Sequence, residues 1–535
     1  MSEMESMQGA EMDEETMQEL RSKAAELLLR EEYTDSISTY SQFISLCQHF
    51  ISEKNPDAAV LARLRKSLCL AFSNRAEARS RLMEVTEALK DCDLALRIER
   101  SHVKTLLCKG KILLSLNRYG MALECFEAAN LETQGNENVD LVNGLLEKCK
   151  RLDFLSRNGG FDVSDWVLSG YRGKTPEFSE YVGAVEIKRS EISGRGLFAT
   201  KNVETGTLLL VTKAIAVDRA IMPPGSCENS QLVMWKNFID KVVDSTSKCS
   251  RINGLISMLS TGEDEESIEI PDIRSFRDSD ISCEKLDMGR MLSILDVNSI
   301  LENAISAKVL GKNVDYQGLG LWVLASFVNH SCDPNIRRLH IGDHVVVHAS
   351  RDIKAGEELT FAYFDVLLPM NNRREIAAMN WGFNCRCKRC KFEENVFLKQ
   401  DMRDIEMAFE KGVVDMGNVV YRLEEAMRRC MIRGKGKGYL RASFWQAYSQ
   451  VFECEKSMKK WGRKIPLMDI LVDSVVEGVG SDERIVKVFM DGLKRGGING
   501  VVEMEKTLKL GRGVYGKIMK KQALRSLLQF GTAQE

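Results

Sequence analysis

Three cysteines stand close together in Asn384-Cys385-Arg386-Cys387-Lys388-Arg389-Cys390. Their C-x-C-x2-C spacing suits Zn²⁺, which takes four tetrahedral thiolates at about 2.3 Å in a closed structural site. Three thiolates leave such a site one ligand short, so a fourth must come from elsewhere. Cys332, within Asn329-His330-Ser331-Cys332-Asp333-Pro334-Asn335, is the best placed by motif. Ligands from two distant segments would pin a late part of the chain against an earlier loop. Three buried thiols holding no metal are the plain alternative. The Asn329–Asn335 segment is itself unusual, because it sets polar side chains directly after the apolar run Leu321–Val328. Buried polar groups there need partners. An Asx-rich turn closed by Pro334 would also account for them.

The chain that must position these residues is 535 residues long. That is more than one core can serve and corresponds to three or four domains of roughly 150 residues. Hydrophobic residues make up 44%, charged residues 28%, and prolines number 8, which describes a globular, helix-leaning chain. The longest apolar stretch, Leu319–Val328, is interrupted by Gly320 and Ser326 and falls far short of the ~20 residues a bilayer span requires. Met1–Gln18 is acidic, unlike the basic start of a signal peptide. The 15 cysteines are therefore expected as reduced thiols in cytosol or nucleus. A formal net charge of −2 argues against bulk nucleic-acid binding. It hides a polarity, with seven acids and no base in residues 1–20 and a balance of +7 over 401–535. The basic stretches Arg428–Lys437 and Lys456–Lys464 and the acidic start read as solvated helix faces and a solvated tail.

The first 150 residues repeat themselves. Ala76, Ala88 and Ala95 recur thirty-four residues later as Gly110, Ala122 and Ala129. Thirty-four is the period of the tetratricopeptide helix–turn–helix unit, whose small residues let paired helices approach closely. Phe126 fills the large position where the earlier copy has Cys92. A looser first copy runs from Met17 to Cys47, so an insertion near Gln48–Arg65 must extend a helix or loop. Residues 151–180, with Asn158-Gly159-Gly160, read as a linker. Strands are expected over Tyr181–Ile187, Leu208–Val211, Gly342–His348 and Glu358–Phe364. Asp218–Asp287 reads as a helical insert with an acidic loop, Gly262–Glu269, and Ile300–Leu310 as a helix. From Asp401 apolar residues return at helical spacing (Met407, Val414, Leu423, Met427), and helices are expected to the end.

Four collinear segments resemble the hallmarks of SET-domain protein lysine methyltransferases. They are Ser193-Gly194-Arg195-Gly196-Leu197-Phe198, Phe327–Asn335, Gly356-Glu357-Glu358-Leu359-Thr360-Phe361-Ala362-Tyr363, and the cysteine-rich segment. Within that superfamily the chain looks most like the SET-and-MYND subfamily. Tyr363–Pro369 running on through Arg373-Arg374 to Trp381-Gly382-Phe383 follows that subfamily's connection into the zinc segment. The insert departs from the pattern: it holds only Cys227, Cys249 and Cys283, and no MYND finger can be built from them. With its repeats the chain resembles plant and fungal proteins that join tetratricopeptide repeats to a SET domain.

The resemblance implies an α+β multidomain protein. An acidic tail (1–16) would lead into a tetratricopeptide solenoid (17–150) and a linker (151–180). A β-rich SET domain (181–365) with an insert at about 215–310, a post-SET zinc segment (366–395) and a helical C-terminal domain (396–535) would follow. It also implies S-adenosylmethionine as cofactor and a protein lysine, on a histone or another protein, as methyl acceptor. Ser193, Gly194 and Arg195 would approach the cofactor, Asn329 and His330 would bind its amino-acid and adenine portions, and Phe383 would cover the adenine with Trp381 near it. Asn298 matches a cofactor-contacting Asn, Tyr363 would be catalytic, and Cys332, Cys385, Cys387 and Cys390 would hold Zn²⁺. An adaptor whose SET fold has lost activity is the rival reading, and a different methyl acceptor is a third. The repeats would take a peptide or protein partner. Modules that clamp a chaperone's acidic C-terminus resemble this one at Arg21, Asn74 and Lys104 but differ at Ala25 and Cys108, so that ligand is expected to bind weakly. Neither a membrane nor direct nucleic-acid contact is expected.

Overall fold

The structure is a computed structural model that describes residues 2–54, 56–132, 139–169, 175–221, 228–262, 269–278, 286–302, 316–412, 415–496 and 500–530. The chain divides into two compact units. The first comprises residues 1–156, 240–257 and 274–287, and the second comprises the remainder.

In the first unit, helices α1 (Ser2–Leu29), α2 (Tyr33–Lys54), α3 (Ala58–Arg81), α4 (Val85–Ile98), α5 (Val103–Ser115), α6 (Tyr119–Glu132) and α7 (Val139–Asn158) follow one another as antiparallel hairpins. The small residues of the 34-residue repeat sit at the hairpin crossings. Ala24, Ala76, Ala88, Ala95, Ala122 and Ala129 are all fully buried. Gly110 shows why nothing larger fits: a Cβ there would fall 2.5 Å from the Phe126 ring. The extra residues after the first copy lengthen α2 and α3 to 22 and 24 residues rather than forming a long loop. Asp57 starts α3 by accepting hydrogen bonds from the Ala59 and Val60 amides. Cys249 and Ile252 of the insert pack onto the α3–α5 core around Ala76, Val85, Ala88, Cys92 and Ile112. Spacing in the sequence gives no sign of that placement, since these residues lie more than a hundred positions downstream.

The second unit begins its strands with β1 (Tyr181–Val182), β2 (Val185–Arg189), β3 (Arg195–Ala199), β4 (Leu208–Lys213) and β5 (Val217–Ile221). They continue with β6 (Ile300–Glu302), β7 (Tyr316–Gly320), β8 (Asn329–His330), β9 (Ile336–Ile341), β10 (His344–Ala349) and β11 (Glu358–Phe361). Three small sheets result, in the orders β1-β4-β10-β9, β2-β3-β11-β8 and β5-β7-β6. The β8–β11 pair is parallel, aligning Asn329 with Thr360 and His330 with Phe361. Two motifs thirty residues apart thereby share one edge. From Met370 the chain is mostly helical to Phe530, and its helices share one apolar core with Cys332, Cys385 and Cys390.

Several expectations need correction. Ile300–Leu310 was read as helix, yet Ile300–Glu302 is strand β6, paired with β7; residues 303–310 lie outside the described residues. The pairing wins because Glu302 turns inward to meet Arg219 at 2.9 Å, leaving no room for a side chain at Gly318. The stretch read as a linker is docked: Phe161, Val163, Trp166, Val167 and Phe178 are buried, and the Val163 amide donates to the Ile518 carbonyl at 3.0 Å. Met407 is 46% exposed, because Met402, Ile405 and Phe409 supply the inner face of helix Gln400–Lys411 instead. Leu423 and Met427 are buried as their spacing implies, and Val414, Cys227, Cys283 and most of Gly262–Glu269 fall outside the described residues. The acidic start lies within α1.

Candidate cofactor cradle and cysteine centre

Asn329 leaves the apolar run at the end of Leu321–Val328 and is fixed by β8–β11 pairing. Its amide Nδ2 donates to the carbonyls of Ser193 and Arg195, both at 3.1 Å, and to Glu358 Oε1 at 2.9 Å. Glu358 is held in turn by the Ser190 hydroxyl at 2.8 Å. The turn it clasps needs glycine twice. Gly194 has φ +46°, and a Cβ at Gly196 would fall 2.4 Å from Glu358 Oε1. The result is a backbone cradle, open where Ser193 is exposed. Arg195 sends its side chain away, its guanidinium 5.0 Å from the Phe327 ring centroid and bonded to the Met258 carbonyl at 2.8 Å.

His330 is buried, and its Nδ1 accepts the Tyr363 amide at 3.1 Å. Its Nε2 therefore carries the proton and faces Cys332 Sγ at 3.3 Å. Burial lowers its pKa, so the ring is neutral. Around it stand Phe364, Tyr363 and Phe383, with ring centroids at 4.4, 5.2 and 5.6 Å. Trp381 closes the group at 5.5 Å from Tyr363. The Tyr363 hydroxyl donates to the Val328 carbonyl at 3.0 Å. Tyr363 lines a small depression, open to solvent, together with Asn298, Ile300, Leu301, Phe361 and Trp381 among others. Asn298 is anchored there by its Nδ2, which donates to the Ser260 and Ile294 carbonyls at 2.7 Å. Ser193, Arg195, Asn329, His330, Tyr363, Trp381, Phe383 and Asn298 are thus linked through one set of contacts.

Cys332, Cys385, Cys387 and Cys390 bring their sulfurs within 4.8 Å of one another. Cys332 Sγ lies 3.9 Å from Cys385 Sγ and 3.6 Å from Cys390 Sγ. Four sulfurs tetrahedrally around zinc at 2.3 Å would stand about 3.8 Å apart. The donor set and its spacing fit the metal. Hydrogen bonds from Cys332, Cys387 and Cys390 hold the Cys385 thiol well below its ordinary range. Sequence reasoning missed the charges that support the cluster. Arg373, fully buried, points Nη1 at Cys390 Sγ (3.5 Å) and pairs with buried Glu393. Arg389 bonds Glu393 at 2.9 Å, the Cys332 carbonyl at 3.0 Å and the Val366 carbonyl at 2.8 Å. Arg389 and Glu393 are an i,i+4 pair, which on paper is indistinguishable from a surface pair.

This geometry defines a SET fold behind tetratricopeptide-like helix pairs, and residues 194–364 match the family model described as the SET domain. The chain carries a SET domain whose relatives are methyltransferases of the SET-and-MYND and related types. A Gibberella zeae protein described as a methyltransferase is 28% identical over 344 residues, 60% of this chain and 46% of that one. The human histone-lysine N-methyltransferase SMYD3 is 42% identical over 77 residues, 14% of this chain and 18% of that protein. The matches span less than half the length of these curated relatives. The SET domain of LSMT bound to lysine and AdoHcy aligns with 65% of this chain and 86% of its own at 13% identity and a TM-score of 0.20. The yeast Sti1 TPR2B domain in complex with pHsp70 aligns with 25% of this chain and 97% of its own at 22% identity and 0.21. At such scores neither structure carries an argument.

Proposed function

We propose that the protein is an S-adenosylmethionine-dependent protein-lysine N-methyltransferase. The observation that carries this reading is Tyr363, its hydroxyl anchored on the Val328 carbonyl and its side chain lining a pocket with Asn298, Phe361 and Trp381. Gly194 and Gly196 leave the backbone bare where a cofactor must come close. S-adenosylmethionine, when bound, supplies a methyl already activated by its sulfonium. Asn329 and His330 would hold it, partly through their main chain, with Phe383 and Trp381 over the adenine and Ser193, Arg195 and Asn298 at its edges. Tyr363 Oη donates its proton to the Val328 carbonyl, so toward the acceptor amine the oxygen would act as acceptor of an N–H. That contact points the amine's own lone pair along the transfer axis. A lysine amine has a free pKa of about 10.4 and must react neutral. Desolvation in the cavity and neighbouring positive charge both lower that value, so no dedicated base is needed. Incubating the protein with labelled cofactor and a lysate, then locating the label by mass spectrometry, tests the proposal. Label on lysine Nε supports it. Label on no lysine, with the cofactor bound, would instead favour an adaptor.

The repeats we assign to a peptide partner, in the reducing setting of cytosol or nucleus that the thiol-rich chain fits. The groove residues are already engaged with one another. Lys104 Nζ pairs with Glu77 at 2.8 Å and donates to Asn74 Oδ1 at 2.7 Å, while Asn74 Nδ2 donates to the Tyr40 hydroxyl at 2.7 Å. Cys108 stands where a carboxylate clamp needs Arg. Losing one charge-assisted bond costs about 1.5–3 kcal/mol, a ten- to hundredfold loss of affinity. Titration of the full chain with the acidic peptide SRMEEVD should therefore show binding no tighter than about 10 µM. Sub-micromolar binding abolished by Lys104→Ala would show that the clamp is intact.

A further inference from the structure

Strand β9 presents two adjacent arginines to opposite faces, as successive strand residues must. Arg337 is neutralised, its guanidinium 2.6 Å from Glu483 and 3.7 Å from Asp482. Arg338 is not. It lies in the cavity with Tyr363, its guanidinium stacked 4.4 Å from the Phe361 ring centroid. Its hydrogen bond to the Leu301 carbonyl is long, at 3.4 Å, and among the described residues it has no carboxylate partner. The rest of the lining includes Ile300, Leu301, Val328, Phe361 and Trp381, which offer a cation no counter-charge. Arg338 is half-buried, and desolvation there brings its pKa down to about 10. A lysine entering this cavity still protonated would meet a like charge. A substrate that also brings an anion would relieve both.

We propose that Arg338 determines specificity in the acceptor cavity by pairing with a carboxylate of the substrate, an Asp or Glu side chain close in sequence to the methylated lysine. The inference rests on the methyltransferase reading above. A guanidinium over an aromatic face offers a planar fork that takes a carboxylate through two parallel N–H donors. The pairing would seat the acceptor lysine beside Tyr363 and leave Arg338 to oppose lysines flanked by basic residues. The cofactor also carries a carboxylate, and the two sources separate by which affinity Arg338 controls.

The test is an array of lysine-centred peptides in which every neighbouring position carries each amino acid in turn, with labelled S-adenosylmethionine. The full-length protein should methylate peptides with Asp or Glu at a preferred flanking position at least about tenfold better than those with Ala. Arg338→Met should erase that preference, Arg338→Lys should keep part of it, and Arg338→Glu should turn it toward basic neighbours. Calorimetric titration with S-adenosylhomocysteine checks the variants, which should bind it as the parent does. Methylation without an acidic preference overturns the inference, as does a preference that Arg338→Met leaves intact. A loss confined to cofactor affinity assigns the carboxylate to the cofactor and overturns it too. Where the array stays unlabelled but lysate lysines are methylated, the flanking residues of those sites in parent and Arg338→Met are judged by the same criterion. Methylation of no lysine in array or lysate refutes the methyltransferase reading and this inference with it.

Discussion

Tyr363→Phe should lower methyl-transfer turnover about 100- to 1,000-fold, the usual cost of removing one preorganised polar contact to a transition state. Cofactor affinity should stay within a few-fold, because the ring itself remains. Its neighbours Phe361 and Trp381, both at 5.5 Å, and His330 at 5.2 Å pack against the ring, which the variant keeps. What disappears is the oxygen fixed by the Val328 carbonyl, and with it the direction given to the acceptor amine. Single-turnover kinetics with saturating cofactor separates the two effects. A variant that transfers methyl as fast as the parent would remove Tyr363 from the chemistry.

The second large effect concerns the metal. Elemental analysis of the purified protein should find about one zinc per chain, held by Cys332, Cys385, Cys387 and Cys390. Cys387→Ser should lose that zinc and, with it, most S-adenosylmethionine binding. Cys385 follows Phe383 by two residues, while Cys332 follows His330 by two, so the metal ties together the two sides of the adenine site. Without it the 5.6 Å approach of Phe383 to His330 depends on loops alone. Structural zinc in small sites supplies about 10–16 kcal/mol of binding that is also folding free energy, so local order should go with the ion. Arg373 would then face a partly protonated Cys390 thiol, and Glu393 would be left to hold both Arg373 and Arg389. A zinc-free protein that binds cofactor normally would refute this account.

The legible parts of the site were those whose chemistry demands particular residues at short range. Cys385, Cys387 and Cys390 are recognisable because zinc geometry tolerates few spacings. Gly194 and Gly196 are recognisable because the first adopts a left-handed backbone that favours glycine and the second leaves no room for a Cβ beside Glu358. Arg338 was not legible, since an arginine on a strand next to another arginine reads as two surface charges. Nor was Glu358, whose hold on Asn329 depends on a strand pairing 29 residues away in sequence. Met407 keeps the helical spacing yet faces out, because more than one phase fits a short amphipathic helix and only the neighbour it packs against selects one.

By itself the sequence determined the repeat crossings, the order of motifs and which cysteines come together. Each depends on residue type at fixed local spacing: small residues every 34 positions, bare glycines, clustered thiols. Tertiary structure alone decided that Ile300–Glu302 is a strand, that Phe161, Val163, Trp166, Val167 and Phe178 are buried, and that Cys249 belongs with the repeat helices. It alone turned Arg337 toward Glu483 and Arg338 into the cavity. Burial and charge pairing are set by partners far away in the chain, and local periodicity carries no information about which partner arrives.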